Sequence, residues 1–265
     1  MKKSDLKHEP RLIVSLTSYG DRLETLDICI KSLLKQTKKA DKIVVYLTND
    51  LHENELPLKL LALKEQGLEF HFIPLDLRPH KKYYYAMQEF PDDVIITVDD
   101  DVIYDPELLA KLYETYQKFP QCIVAGRAHE ITFDEKGEFE LYNDWEWEST
   151  VENRPFMRFI ATGAGGVLYP PHLINLNILL NLENVYRYLT VDDLWLKTAE
   201  VLSGVTTVMC DRRMEENRRG IPHTQEQGLF NNNVGHNEND VQLKDLNQRF
   251  DLAKKIREYD AINKT

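Results

Sequence analysis

Residues 94–101 read Val94-Ile95-Ile96-Thr97-Val98-Asp99-Asp100-Asp101, an almost continuous apolar run that ends abruptly in three carboxylates. Such a run is buried on both faces, as a strand is inside a parallel sheet covered by helices above and below. Side chains alternate along an extended chain, so Asp99 and Asp101 project to one side. They do so at the carboxyl end of the strand, where open α/β sheets bind ligands. Two converging carboxylates repel unless a cation lies between them, and oxygen donors suit Mg2+ or Mn2+. A solvated acidic turn is the plainer reading. However, Asp105-Pro106-Glu107 already supplies an N-cap, an N1 proline and a first-turn acid for the helix that follows, expected to run to about residue 119.

The same grammar extends in both directions. Residues 12–16, 43–47 and 70–74 are short β-branched or aromatic runs, each followed by turn residues. Between them, Leu23, Leu26, Ile30, Leu33 and Leu34 fall at helical spacing, and residues 57–66 read as a helix stopped by Gly67. A short helix is expected over residues 82–90 and a fifth strand over 122–125. Strand–helix alternation of this kind predicts an α/β fold, a doubly wound and mostly parallel sheet with right-handed crossovers.

Beyond Arg127 the pattern loosens. A hairpin is expected within residues 133–147, turning at Lys136-Gly137, and a glycine-rich loop at residues 163–166. A helix over 192–202, a strand over 206–210, a mobile loop over 211–240 and a C-terminal helix over about 241–262 follow. With no internal repeat or low-complexity linker, one domain over residues 1–265 is expected. It divides at about 127 into a ligand-binding half and a second half reaching to about 240.

Composition narrows the partners. The 265 residues are 42% hydrophobic and 29% charged, as in ordinary globular proteins. A formal net charge of -11 argues against nucleic-acid binding, which needs clustered Lys and Arg. Cys29, Cys122 and Cys210 are far apart and sit in apolar runs, so buried free thiols and a reducing compartment are expected. The N-terminus lacks the apolar core of a secretory signal, and no stretch approaches the roughly 20 apolar residues of a membrane span. A cytoplasmic protein is expected. Lys254, Lys255 and Arg257 leave room for a weak peripheral contact at the inner face of a membrane.

Four segments in this order, SLTSYGDR (15–22), PDDVIITVDDDVIYDP (91–106), TGAGGVLYPP (162–171) and TVDDLWLK (190–197), carry a resemblance that covers most of the chain. The sequence resembles the family 2-like glycosyltransferases of the GT-A fold, in particular bacterial enzymes that build capsule or lipopolysaccharide glycans. The resemblance implies a metal-dependent enzyme that moves a hexose from a nucleotide diphosphate sugar, UDP being the favoured carrier, to an oligosaccharide or lipid-linked glycan acceptor.

It also implies roles residue by residue. Asp101 would bind Mn2+ or Mg2+ directly, Asp99 would help to hold the metal or the ribose, and Asp100 would stand in the donor site. Thr17, Tyr19 and Arg22 would contact base and ribose, with Asn49 or Asp50 contributing from the second strand; a turn with a helix cap is the competing reading there. Lys82, in the basic cluster Arg78, His80, Lys81 and Lys82, would meet the diphosphate, unless that cluster is only a solvated face. Gly165 and Gly166 would let backbone approach the sugar; on residues alone a plain turn is as good.

In similar inverting enzymes the second acid of a pair like Asp192-Asp193 is the general base, so Asp193 is expected to deprotonate the acceptor and Asp192 to orient hydroxyls. His223, rather than His236, is the expected third metal ligand. Arg212, Arg213, Arg218 and Arg219 would close over the diphosphate or else form a salt-bridged surface. Trp145 and Trp147 would stack on a sugar or pack in the core.

Three rivals share parts of the pattern. In a haloacid-dehalogenase-type phosphatase Asp99 would be the nucleophile and Asp101 the acid. There, however, Ile103 occupies a position where Thr is expected, and several strand–helix units precede the motif. A nucleotidyltransferase would carry a glycine-rich signature at the first strand. A non-catalytic glycan-binding protein would have no cause to keep the triplet, the basic cluster and the acidic pair together.

Overall fold

The structure, a computed structural model, describes residues 9–222, 224 and 238–263. Eleven strands run in chain order among the described residues. They are β1 Leu12–Thr17, β2 Lys42–Thr48, β3 Leu68–Ile73, β4 Val94–Thr97, β5 Val102–Ile103, β6 Cys122–Ala125, β7 Ala128–Glu130, β8 Phe159–Ala161, β9 Val167–Tyr169, β10 Thr206–Met209 and β11 Arg219–Gly220. Seven of them form one sheet in the order β10-β6-β9-β4-β1-β2-β3. All its pairings are parallel except those of β9, which lies antiparallel between β4 and β6. The mostly parallel, doubly wound sheet expected from the alternation is therefore present.

Alternation along β1 shows why both faces are covered. Leu12, Val14 and Leu16 join one core, with Leu26 and Ile30 of the helix Leu26–Leu34 and Leu108, Leu109 and Leu112 of the helix Leu108–Lys118. Ile13 points the other way, into a core shared with Tyr83, Met87, Leu194 and Trp195. Each strand thus feeds two cores, and the acidic triplet leaves the sheet between them at the end of β4.

Several expectations shift in detail. The helix after the triplet begins at Leu108, with Glu107 flanking it; Asp105 instead accepts from the Glu107 N–H at 2.7 Å and shapes the preceding turn. The expected C-terminal helix is two helices, Glu238–Phe250 and Leu252–Ile262. They break at Asp251, which adopts φ 54, while Asn247 accepts from the Ala253 N–H across the break at 2.9 Å. Within the expected mobile loop, β11 pairs with β5 and the Ile221 N–H donates to the Asp101 carbonyl at 2.8 Å. That piece is built onto the backbone of the triplet. The hairpin turn is at Gly137, φ 81, with Phe133 bridged to Phe139. All three cysteines are free and buried. Among the described residues, no helix is long and apolar enough to cross a membrane.

Candidate active site

The carboxyl ends of β1, β2 and β4 open into a cleft of about 1010 Å³. Lys82 forms its floor. The residue is 4% exposed, and its Nζ lies 2.8 Å from Asp99 Oδ1 and 3.0 Å from Asp192 Oδ2. Burial alone would lower the pKa of this ammonium, but Asp192 and Asp99 overcome it and hold the pKa well above the usual lysine range. The same contacts act on Asp192. Burial pushes its carboxyl up, Lys82 and His80 pull harder, and the net direction is down. Asp192 Oδ2 makes no aligned hydrogen bond, so the ion pair with Lys82 is what compensates its burial.

Asp193, the next residue on the helix Asp192–Ser203, has no such cation of its own. Its carboxylate accepts from the Gly163 N–H at 3.3 Å. Burial, and then the neighbouring charge of Asp192, raise its pKa well above the ordinary aspartate value. Two adjacent carboxylates have thus been driven in opposite directions, one fixed as an anion and the other poised to take a proton, which is how proteins separate an orienting acid from a base.

Opposite Lys82 stands Arg22. Its Nη1 is 2.6 Å from Asp100 Oδ1, and its Nη2 lies 3.1 Å from Asp101 Oδ2 and 3.0 Å from the Thr224 carbonyl. Asp100, 6% exposed, also accepts from the Ser18 hydroxyl at 2.5 Å. The chain turns after β4 and the three carboxylates spread: Asp99 pairs with Lys82, Asp100 with Ser18 and Arg22, and Asp101 with Arg22, and all three line the cleft. Burial, and then Asp99, push the Asp101 carboxyl up to about 6. A divalent cation would relieve that repulsion, and Mg2+ needs only one or two protein carboxylates beside substrate phosphates. Asp99 and Asp101 therefore fit such an ion. Among the described residues, no three metal-ligating side chains converge, and the expected ligand His223 lies outside those residues, as does His236.

The other expected residues divide. Thr17, Tyr19 and Arg22 line the cleft; Thr17 Oγ1 donates to the Tyr46 carbonyl at 2.8 Å and the Arg22 guanidinium lies 5.5 Å from the Tyr19 ring centroid. Asp50 lines it, whereas Asn49 does not. Gly165 and Gly166 also stay out of the lining. A Cβ on Gly165 would fall 2.4 Å from Arg127 Cβ, and Gly166, φ 77, lies against Leu108. Their smallness serves the packing of the chain on itself. At Gly163 a Cβ would sit 2.7 Å from Lys82 Nζ and 2.9 Å from Asp99 Oδ1, so in this loop it is Gly163 that packs against the charged floor.

Of the four arginines, only Arg218 lines the cleft, and it is paired with Glu215 at 2.7 Å, so the salt-bridged reading describes it. Trp145 is buried in the core; Trp147 lines the cleft. Sequence reasoning did not single out Ser18, although it lies inside a quoted motif, and it read Gly163 only as part of the loop 163–166. It also missed Arg127, His129, Tyr142 and Asn239, which line the far wall and belong to no motif.

Among the curated proteins compared with this chain, none matches it. A similar solved structure is a mannosyltransferase from Pyrobaculum calidifontis in complex with GDP-Man and Mn2+. It is 12% identical, with a TM-score of 0.48 over 77% of this chain and 57% of that one, so this chain spans little more than half its length. The family model described as glycosyl transferase family 2 matches residues 14–169, from within β1 through the acidic triplet to the end of β9. With more than half its residues in that match, the chain belongs to glycosyl transferase family 2.

Proposed function

We propose that this glycosyltransferase transfers a hexose from a UDP-linked donor to a glycan acceptor in bacterial surface polysaccharide synthesis, by one inverting displacement with Asp193 as general base. The observation that carries this reading is the divided pair: Asp192 held anionic against Lys82, and Asp193 raised in pKa beside the Gly163 N–H. Family membership supplies the nucleotide-sugar donor and the glycan acceptor; the choice of UDP, the metal and the pathway are part of the proposal.

Thr17, Tyr19 and Asp50 would hold the nucleoside at the ends of β1 and β2. Asp99 and Asp101 would hold Mn2+ or Mg2+, which stabilises negative charge on a departing diphosphate when bound. Lys82 keeps Asp99 and Asp192 in place and lowers the negative potential that the diphosphate must meet. Asp192 orients donor or acceptor hydroxyls. Asp193 takes the proton of the acceptor hydroxyl as that oxygen bonds to the anomeric carbon. The bond from that carbon to the diphosphate oxygen breaks in the same step, and the electron pair leaves with the nucleotide. The phosphatase alternative does not survive family membership, and the Lys82 ion pair further denies Asp99 the freedom of a nucleophile.

Calorimetric titration with UDP, with and without Mn2+, tests the donor half of this reading on the wild type and on Asp101→Ala. Metal-dependent binding that collapses in the variant is expected. Absence of binding to UDP, GDP, CMP and dTDP alike would sink it.

A further inference from the structure

The wall of the cleft facing the acidic triplet has polar groups with hydrogen-bonding capacity that the described residues leave open. Asn239 is 6% exposed and lines the cleft, yet its side-chain amide makes no hydrogen bond within the described residues. The amide opens onto the cleft, where a ligand or water can complete it. Its position is well fixed. On one side Glu238 accepts from the Thr190 hydroxyl at 2.9 Å, in the loop that leads into Asp192 and Asp193. On the other side Asp240 accepts from the Tyr142 N–H at 2.7 Å. The amide is thus clamped between the segment carrying the proposed base and the segment carrying the aromatic wall.

Two more groups on that wall are similarly uncommitted. The Tyr142 hydroxyl lies close enough to Asp193 and Arg127 to feel both charges, and no hydrogen bond within the described residues engages it. His129 is stacked on Trp147, ring centroids 4.7 Å apart, and its Nδ1 accepts from the Glu148 N–H at 3.0 Å. Burial, and then Arg127, bring its pKa down to about 3, so the ring is neutral and carries its proton on Nε2, facing away from Glu148. Beside these groups Arg127 is closed off by Glu148 at 2.9 Å.

An amide, a phenol and a neutral imidazole offer both donors and acceptors with no net charge. Vicinal sugar hydroxyls, each a donor and an acceptor, match such a set. Among the described residues beside this set, an anionic sugar would find Arg127 already paired with Glu148 and would meet the acidic pair Asp192-Asp193.

We propose that Asn239, Tyr142 and His129 form the acceptor-sugar subsite of this enzyme, and that it takes an uncharged pyranose through adjacent hydroxyls. The proposal rests on the reading of Asp193 as the base that receives the acceptor's proton.

The test uses the full chain and two sets of p-nitrophenyl glycosides. The neutral set holds glucoside, galactoside, mannoside and N-acetylglucosaminide; the charged set holds glucuronide and galacturonide. Binding is followed by saturation-transfer NMR, with and without UDP and Mn2+. At least one neutral glycoside is expected to bind and the uronides to fail. Asn239→Ala and Tyr142→Phe should each weaken that binding by about tenfold, the worth of one or two well-made hydrogen bonds, with circular dichroism and UDP affinity unchanged.

Uronides that bind as well as neutral glycosides, unchanged binding in both variants, or no neutral glycoside bound in any condition would each overturn the proposal. If instead no nucleotide binds while neutral glycosides bind through Asn239, the donor reading falls and the subsite stands.

Discussion

Replacing Lys82 by methionine should unfold the site's electrostatics in a way that depends on pH. The substitution keeps the volume of the stem and removes the ammonium, which lies 2.8 Å from Asp99 Oδ1 and 3.0 Å from Asp192 Oδ2. The Lys82 side chain is 5% exposed and that of Asp192 is 12%, so solvent cannot take over the lost charge. Removing one partner of a buried pair costs roughly 3–5 kcal/mol, most of it the penalty of the stranded carboxylate. In a domain of this size that lowers Tm by roughly 6–20 °C.

The sign of the pH dependence follows from Asp192. In the wild type its folded pKa lies below the unfolded value, so its contribution is present above an unfolded pKa of about 4 and lost as the pH falls. In the variant, burial acts unopposed and reverses the direction: Asp192 takes up a proton on acidification and is relieved. The stability gap between the two proteins should therefore be widest near pH 7.5 and should narrow towards pH 5. Urea unfolding at the two pH values, followed by fluorescence of the buried Trp195 and Trp145, measures it. A gap below about 1 kcal/mol at pH 7.5, or one of equal size at pH 5, would refute the reasoning.

Asp193→Asn should retain UDP binding but lose roughly 10²–10⁴ in kcat; unimpaired turnover would remove Asp193 from its proposed role. Because the wild-type pKa of Asp193 is raised, turnover should climb with pH along a limb lying well above the ordinary aspartate range, and a flat profile down to pH 4.5 would contradict that. For Asp101, burial and Asp99 raise the folded pKa to about 6, so its contribution to stability is fully present below an unfolded pKa of about 4 and lost as the pH rises through 6. Metal-free protein should lose roughly 2–3 kcal/mol across that window on account of this group, and Asp101→Asn should flatten the slope in urea titrations. Gly163→Ala should destabilise by roughly 1–3 kcal/mol and abolish turnover, since its Cβ would meet Lys82 Nζ at 2.7 Å; near-wild-type kinetics would show that the loop can move aside.

Much of this protein was legible without coordinates. The periodicities of residues 12–16, 43–47, 70–74 and 94–98 are local, so they specified the strands of a doubly wound sheet. The abrupt change from Val98 to Asp99 marked where the sheet opens to solvent. Alternation also put Asp99 and Asp101 on one side, but the chain turns at Asp100-Asp101 and Arg22 pairs with both of those carboxylates. The motif around Asp192-Asp193 identified a second acidic pair but could not divide it. That division needs Lys82, which is 110 residues away in sequence yet 3.0 Å away in space.

Tertiary structure alone also reassigned the glycines. Gly163, Gly165 and Gly166 look equivalent in TGAGG, but only at Gly163 would a Cβ meet the charged floor of the cleft. Asn239, Tyr142 and His129 have no spacing that relates them. They share a wall because the helix Glu238–Phe250 packs back on the helix Asp192–Ser203. Local patterns encode which face of an element is buried. Which distant charges and polar groups meet is decided when the sheet and its two layers close, because only then does desolvation make each of those meetings matter.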